Sequence, residues 1–355
     1  MDNAQLKKEA IELLKGMIRI ESFSKQEDKT ADLINQFLTD KGIATHRKMN
    51  NIWAFNKNYD PKKPTILLNS HHDTVRPNSG YTQDPFEPIV KDGKLFGLGS
   101  NDAGGCLVSL IATFCYFYDK ENLKYNFVVA ATAEEEISGL NGLELIVPDL
   151  GEMEFAIVGE PTQMDLAIAE KGLMVLDCVA KGKAGHAARD EGENAIYKAI
   201  KDILWLTSYK FEKVSPMLGP MKMSVTVINA GSEHNVVPDT CKFVVDVRIT
   251  EMYKNEDVLK IIEDNITSEV YPRSIRLKPS HINPNHPVVL AGIKHGGSTY
   301  GSPTTSDQAL LTIPSLKMGP GNSKRSHTAN EFIWISEIEQ GIERYINVLS
   351  ELVVE

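Results

Sequence analysis

The sequence predicts an α/β protein with a second, inserted domain, and three observations carry that prediction. Short apolar, β-branched runs of strand character alternate with segments of helical periodicity, which is the pattern of a buried, mostly parallel sheet. Several of these runs end abruptly in charged or metal-ligating residues rather than in ordinary turn residues. From Gly172 onward the order changes to β-α-β-β-α-β, the split ferredoxin-like unit.

An amphipathic helix is expected from about Ala4 to Ile18, broken at Glu21-Ser22-Phe23-Ser24, and a second from Lys29 to Lys41, stopped by Gly42. Asn51 to Asn56 reads as a short strand, and Pro61 to Pro64 as a turn. Thr65 to Asn69 is the strand that delivers His71 and Asp73 just past its end. A loop rich in Pro, Gly and Asp then leads to Gly97-Leu98-Gly99-Ser100-Asn101-Asp102 and an apolar helix from about Cys106 to Tyr118. The glycines allow close backbone approach, but the Gly-Lys-Ser/Thr ending of a phosphate-binding loop is absent. Tyr125 to Ala131 is a second buried strand, ending at Thr132-Ala133-Glu134-Glu135-Glu136. Phe155 to Val158 is a third, ending in Gly159-Glu160-Pro161-Thr162. Pro314 to Met318 is a fourth, followed by Gly319-Pro320-Gly321-Asn322 and Ser326-His327-Thr328-Ala329-Asn330-Glu331.

In the insert, strands are expected at Gly172 to Lys181, Met221 to Asn229, Thr240 to Ile249 and Ser274 to Lys278, with helices at Asn194 to Tyr209 and Asn255 to Val270. Such a two-layer unit leaves an edge strand free for pairing across a two-fold axis. The expected division is residues 1–171 and 283–355 as the catalytic, metal-binding domain and 172–282 as a lid and dimerisation domain, with a closing helix from about Ser336 to Leu352.

Composition narrows the function. At 355 residues, with 42% hydrophobic and 24% charged, the chain is globular and long enough for two cores. A formal charge of -10, from 48 acidic and 38 basic residues, argues against nucleic acid or an anionic membrane as partner. Cys106, Cys115, Cys178 and Cys241 lie in apolar surroundings without Cys-x-x-Cys spacing, as reduced thiols of a cytoplasmic protein do. No signal-like or membrane-spanning apolar run is present in the sequence.

Four strand ends and one glycine-rich loop thus deliver two histidines and several carboxylates to one sheet edge, where open α/β sheets bind ligands. This donor set suits zinc, cobalt or manganese. A carboxylate shared by two metals would leave open positions for water, and a further carboxylate could move the water's proton to a leaving amine. His72 is set aside in favour of His71, the one with an Asp two residues on. Glu134 and Cys106 read as structural residues, His234 as a turn residue, and His46, His281, His286 and His295 as surface or packing residues.

Taken together, these motifs resemble, in order and over nearly the whole chain, those of the dinuclear-zinc M20 peptidase and deacylase family. The resemblance implies a zinc-exopeptidase-like, three-layer α/β/α catalytic domain and two Zn2+ or Co2+ ions per subunit. It implies one metal held by His71, Asp102 and Glu160 and the other by Asp102, Glu136 and His327. Asp73 is then the partner that orients His71, and Glu135 the general base. Gly185-His186-Ala187-Ala188-Arg189 is similar to the family's lid histidine motif, which gives His186 the oxyanion. Asn235, Arg248 and Gly321 are implied as substrate contacts. Two positions depart from the usual pattern, Leu98 for Arg and Gly104 for Lys, and neither is a ligand. The implied activity is deacylation of an N-acyl amino acid, N-acetyl- or N-succinyl-ornithine in arginine biosynthesis, by a homodimer. Succinyl-diaminopimelate desuccinylase and M20 exopeptidase are the rival activities.

Overall fold

A computed structural model of the chain describes residues 2–353, which form two compact units. The first runs to Ile168 and resumes over His281–Tyr300 and from Ser306; the second holds Ala169–Ser280 and Gly301–Thr305. The second unit thus starts and ends slightly earlier than 172–282 and takes in a later segment that has no helical or strand period of its own to betray it.

At the centre of the first unit, the strand Thr65–His71 pairs in parallel with Asn126–Thr132 on one side and Phe155–Val158 on the other, and Ser315–Lys317 extends the parallel set beyond Phe155–Val158. Every residue of these four strands is buried. Both sheet faces are therefore covered, which is why the sequence shows unbroken apolar runs instead of alternation. Because the four are parallel, all their C-terminal ends lie at one edge. Antiparallel Asn51–Phe55 and His46–Lys48 continue the sheet beyond Asn126–Thr132.

Side chains alternate between the two faces. Ile66, Leu68, Phe127 and Val129 join one core with the helices Asn3–Ile18, Asp28–Asp40, Gly105–Phe117 and Ile335–Val353. Leu67, Val128, Ala130 and Ala156 join the other with Trp53, Leu143 and Ile146. This is the three-layer arrangement expected. Gly105–Phe117 is apolar on all sides because it is the central helix of the larger core, with Tyr118 as its C-cap.

The second unit is an antiparallel sheet in the order Lys222–Ala230, Thr240–Ile249, Gly172–Lys181, Glu269–Leu277, with the helices Ala195–Ser208 and Asn255–Asn265. One sheet face is covered, and Gly172–Lys181 accordingly alternates buried with half-buried residues. Asn194 caps the first helix by accepting from the Ile196 N–H at 2.9 Å.

Three expectations need correction. The strand before His71 continues through Ser70 and His71, which pair with Ala131 and Thr132, so His71 is its last residue rather than a residue beyond it. The helix expected to reach Val270 stops at Asn265, because buried Asp202 takes the Thr267 and Ser268 backbone N–H groups and the Ser268 hydroxyl, and Val270 belongs to the next strand. The helix Pro287–Lys294, capped by His286, and the buried strand Leu166–Glu170 were not anticipated, being too short to show a period. Among the described residues no helix is long and apolar enough to cross a membrane.

Candidate metal centre

His71 closes its strand with a side chain only 1% exposed, and its two ring nitrogens face different neighbours. Nδ1 lies 3.0 Å from the Asp73 carbonyl oxygen and 3.4 Å from the Asp73 carboxylate. The backbone of Asp73 is the nearer orienting group, with its carboxylate beside it. With Nδ1–H donating, Nε2 is left as the ligand atom. The Asp73 carboxylate has a second task, accepting the Glu135 N–H at 3.1 Å, the Glu136 N–H at 3.2 Å and the Ser24 hydroxyl at 2.7 Å. It therefore caps the turn that presents both glutamates. Against the effect of burial, the hydrogen bond to His71 leads the interactions that hold Asp73 below the ordinary aspartate range.

Asp102 stands between the two imidazoles. One carboxylate oxygen is 3.5 Å from His71 Nε2 and the other 3.6 Å from His327 Nε2. Its loop is held from below by Glu331, whose buried carboxylate accepts the backbone N–H groups of Gly99 at 2.9 Å, Asn101 at 2.7 Å and Asp102 at 2.9 Å. Burial, then the Asp102 charge, pushes Glu331 up to about 8. The last motif contained Glu331, but its spacing from His327 gave no sign of this duty. Asn101 ties the same loop to Asn322 through a reciprocal pair of hydrogen bonds, at 2.9 and 3.1 Å. Gly321 has φ +91°, and a Cβ there would meet Asn101 Oδ1 at 2.5 Å, so glycine is required at this position for backbone placement.

Glu136 lies 3.0 Å from His327 Nε2, and this contact leads the effects that raise the His327 imidazole to about 9. Glu135 and Glu160 approach His71 Nε2 at 3.8 and 3.9 Å. Ligand atoms of His71, Asp102 and Glu136 lie within 4.8 Å of one another, as do those of His71, Glu135 and Glu160. The structure thus brings together His71, Asp102, Glu135, Glu136, Glu160 and His327. His71 lies near Asp102 and Glu160, and His327 near Asp102 and Glu136, while Glu135 also stands among the donors around His71. Burial first, then Glu160, Asp307 and Glu136, raises Glu135 well above the usual glutamate range, with His71 opposing.

So many carboxylates around two imidazoles cost free energy to bury, and divalent cations relieve that cost. The donors are carboxylate oxygens and imidazole nitrogens, with the two imidazole Nε2 atoms on opposite sides of Asp102. The set fits a pair of hard-to-borderline metals.

The remaining residues fall into place around this. His72 is fully buried, with Nδ1 2.9 Å from the Thr30 hydroxyl and Nε2 2.9 Å from the Asn50 carbonyl, and burial lowers it to about 4. It is a neutral packing residue. Glu134 takes the Asn141 side chain at 2.9 Å and shapes its own turn. Cys106 is buried, and burial raises its thiol well above the ordinary range. His186, Asn235 and Arg248 belong to the second unit. There His186 pairs with Val236, and the Asn235 carbonyl accepts from Ala187 at 2.9 Å, so the two segments adjoin. Arg248 forms a two-point ion pair with Asp246, at 2.8 and 3.0 Å, and donates to Thr305 at 3.2 Å.

The chain is similar to known proteins over nearly its whole length. Residues 67–351 match the profile described as peptidase family M20/M25/M40. The chain is 27% identical to a [LysW]-lysine/[LysW]-ornithine hydrolase of Saccharolobus solfataricus, over 98% of this chain and 97% of that one. It is 26% identical to an acetylornithine deacetylase of Buchnera aphidicola, over 93% and 94% of the two chains, and 26% identical to a succinyl-diaminopimelate desuccinylase of Rickettsia bellii, over 95% of each. Among solved structures, an M20 family metallo-carboxypeptidase from Sulfolobus solfataricus superposes with TM-score 0.79 at 18% identity, over 98% of this chain and 99% of that one. A dinuclear metal-binding peptidase from Bacillus subtilis superposes with TM-score 0.72 at 17% identity, over 98% of each.

Proposed function

The chain belongs to peptidase family M20/M25/M40, and from that membership we propose a two-metal amidohydrolase that deacylates an N-acyl amino acid, with N-acetyl- or N-succinyl-ornithine as substrate. The observation that carries the two-metal reading is Asp102, with one oxygen toward each imidazole. Zinc or cobalt held by His71, Asp102, Glu136, Glu160 and His327 would acidify a water and polarise the amide carbonyl.

The chain's own groups do the rest. Glu135 takes the proton of the attacking water on its carboxylate and returns it to the departing amine nitrogen. Asp73 keeps His71 and the Glu135 turn in register, and Glu331 keeps Asp102 in place. In this reading His186 donates to the developing oxyanion, and Asn235, Arg248 and the Gly321 backbone contact the substrate. A substrate carboxylate would have to share Arg248 with Asp246.

Ornithine is favoured because it appears in the names of two kinds of relative, the acetylornithine deacetylase and the [LysW]-ornithine hydrolases. A place in arginine biosynthesis follows from that choice, and the four buried free thiols fit a cytoplasmic setting. Exopeptidases and the desuccinylase would share the same metal residues. The test is a panel of N-acetyl- and N-succinyl-ornithine, N-succinyl-diaminopimelate and dipeptides, assayed with zinc or cobalt. An acylated ornithine should give the highest kcat/KM; faster hydrolysis of dipeptides would sink the deacylase assignment.

A homodimer through the second unit is part of this proposal. Tyr197, Ile200 and Leu204 stand 66%, 45% and 62% exposed on the helix Ala195–Ser208, and Val227 and Ile228 are exposed on the edge strand Lys222–Ala230. Sedimentation velocity should give the mass of two chains, and a Leu204→Glu variant the mass of one. A monomeric wild type would refute the dimer.

A further inference from the structure

We infer that Asp307 is a positioning residue of the hydrolytic centre, fixing Thr132 and through it the strand end that presents Glu135 and Glu136. The inference rests on the two-metal hydrolase reading and adds to it a residue that no motif pointed to. Asp307 opens a short turn, Asp307–Leu310, and is 3% exposed. Its carboxylate accepts the Thr132 hydroxyl at 2.8 Å. With the Asn69 amide in the orientation that satisfies its neighbours, Asn69 donates to the same carboxylate oxygen at 3.1 Å, and its own oxygen, 2.9 Å from the Thr132 hydroxyl, shares that hydroxyl's proton with Asp307.

Those two partners sit on adjacent parallel strands. Thr132 is the last residue of Asn126–Thr132, three before Glu135, and pairs across the sheet with His71; Asn69 lies two before His71. One carboxylate, brought in from far along the chain, thereby ties together the two strand ends that carry His71 and the glutamate turn.

A buried carboxylate is costly in lost hydration unless its surroundings repay it. Packing alone does not require one here. The Thr132 hydroxyl also lies 3.2 Å from the Ser70 carbonyl and would remain satisfied without Asp307. A hydroxyl held by a charged acceptor is fixed more firmly than one held by a carbonyl, and the strand end holding a general base is where such rigidity counts.

The test uses the cobalt-loaded, full-length protein and whichever panel substrate the wild type hydrolyses best. Asp307→Ala should lower kcat by roughly 10–100-fold, the range for losing a group that orients a metal-site residue, with KM within about threefold because binding is untouched. Both cobalt ions should remain, with a changed visible absorption band. Asp307→Asn, which keeps an oxygen for Thr132 but loses the charge, should recover only part of kcat and of the wild-type band, and Thr132→Val should reproduce the Asp307→Ala loss. If Asp307 acts through Thr132, the double variant Thr132→Val/Asp307→Ala should be no slower than Thr132→Val alone. Wild-type kcat and spectrum in Asp307→Ala, or additive losses in the double variant, would overturn the inference. Should Asp307→Ala fail to fold, the Asn and Val variants still decide. Should no panel substrate be turned over, the functional reading fails while the cobalt spectra still judge Asp307.

Discussion

A Glu135→Gln enzyme is expected to lose about a thousandfold in kcat, near the middle of the range for removing a general acid-base group and equivalent to about 4 kcal/mol of barrier. Gln has the size of Glu and keeps the backbone N–H bonded to Asp73, so the turn should stay in place. What disappears is the site that accepts a proton. The variant also settles the role of Glu135, whose carboxylate stands within ligand distance of His71 and Glu160. If Glu135 is the base, metal analysis will find two ions per chain and KM will change by less than about threefold, the signature of an interaction made only in the transition state. If it is a ligand, metal content and activity will fall together. Full activity with two bound metals would refute the mechanism.

Asp102→Ala should abolish activity and empty both metal positions, because its two oxygens face His71 and His327 separately. Wild-type protein should melt at higher temperature with added zinc than without, since a ligand that binds only the folded state stabilises it, by about 4 kcal/mol at a thousand times Kd. The Asp102→Ala protein should show no such shift. His327→Ala is the contrast, since it removes a donor from one side and should leave one ion per chain. An Asp102→Ala protein that still binds two equivalents with wild-type affinity would mean that Asp102 bridges nothing.

Both experiments concern residues that the sequence already marked, and the reason lies in the sheet. A fully buried parallel strand needs an unbroken apolar run, so the point where such a run gives way to His71, Glu135 or Glu160 is visible locally. His71, Glu135 or Glu136, Glu160 and His327 were marked by strand ends and Asp102 by its glycine-rich loop, and the structure gathers them. The parallel order of four strands then needed only the rule that ligands bind at the carboxyl ends.

Other features could not be read from the chain. Asp73 holds the Glu135 turn across a sequence separation of 62 residues, Glu331 cradles the Asp102 loop across 229, and Asp307 reaches Thr132 across 175. A hydrogen bond between remote segments leaves no periodicity, and a lone buried acid looks in sequence like any surface acid. The approach of Glu135 to His71 and the pairing of Arg248 with Asp246 are likewise matters of side-chain direction, which spacing does not set.

The sequence by itself therefore determined the α/β class, the split ferredoxin-like insert, the family and the candidate donors of the proposed metal site, because local apolar runs and contiguous motifs carry that information. The tertiary structure decided which groups orient those donors, where His71 sits relative to its strand and how Glu135 stands among the ligands. Those are outcomes of packing between segments far apart in the chain, where each buried polar group must find a partner.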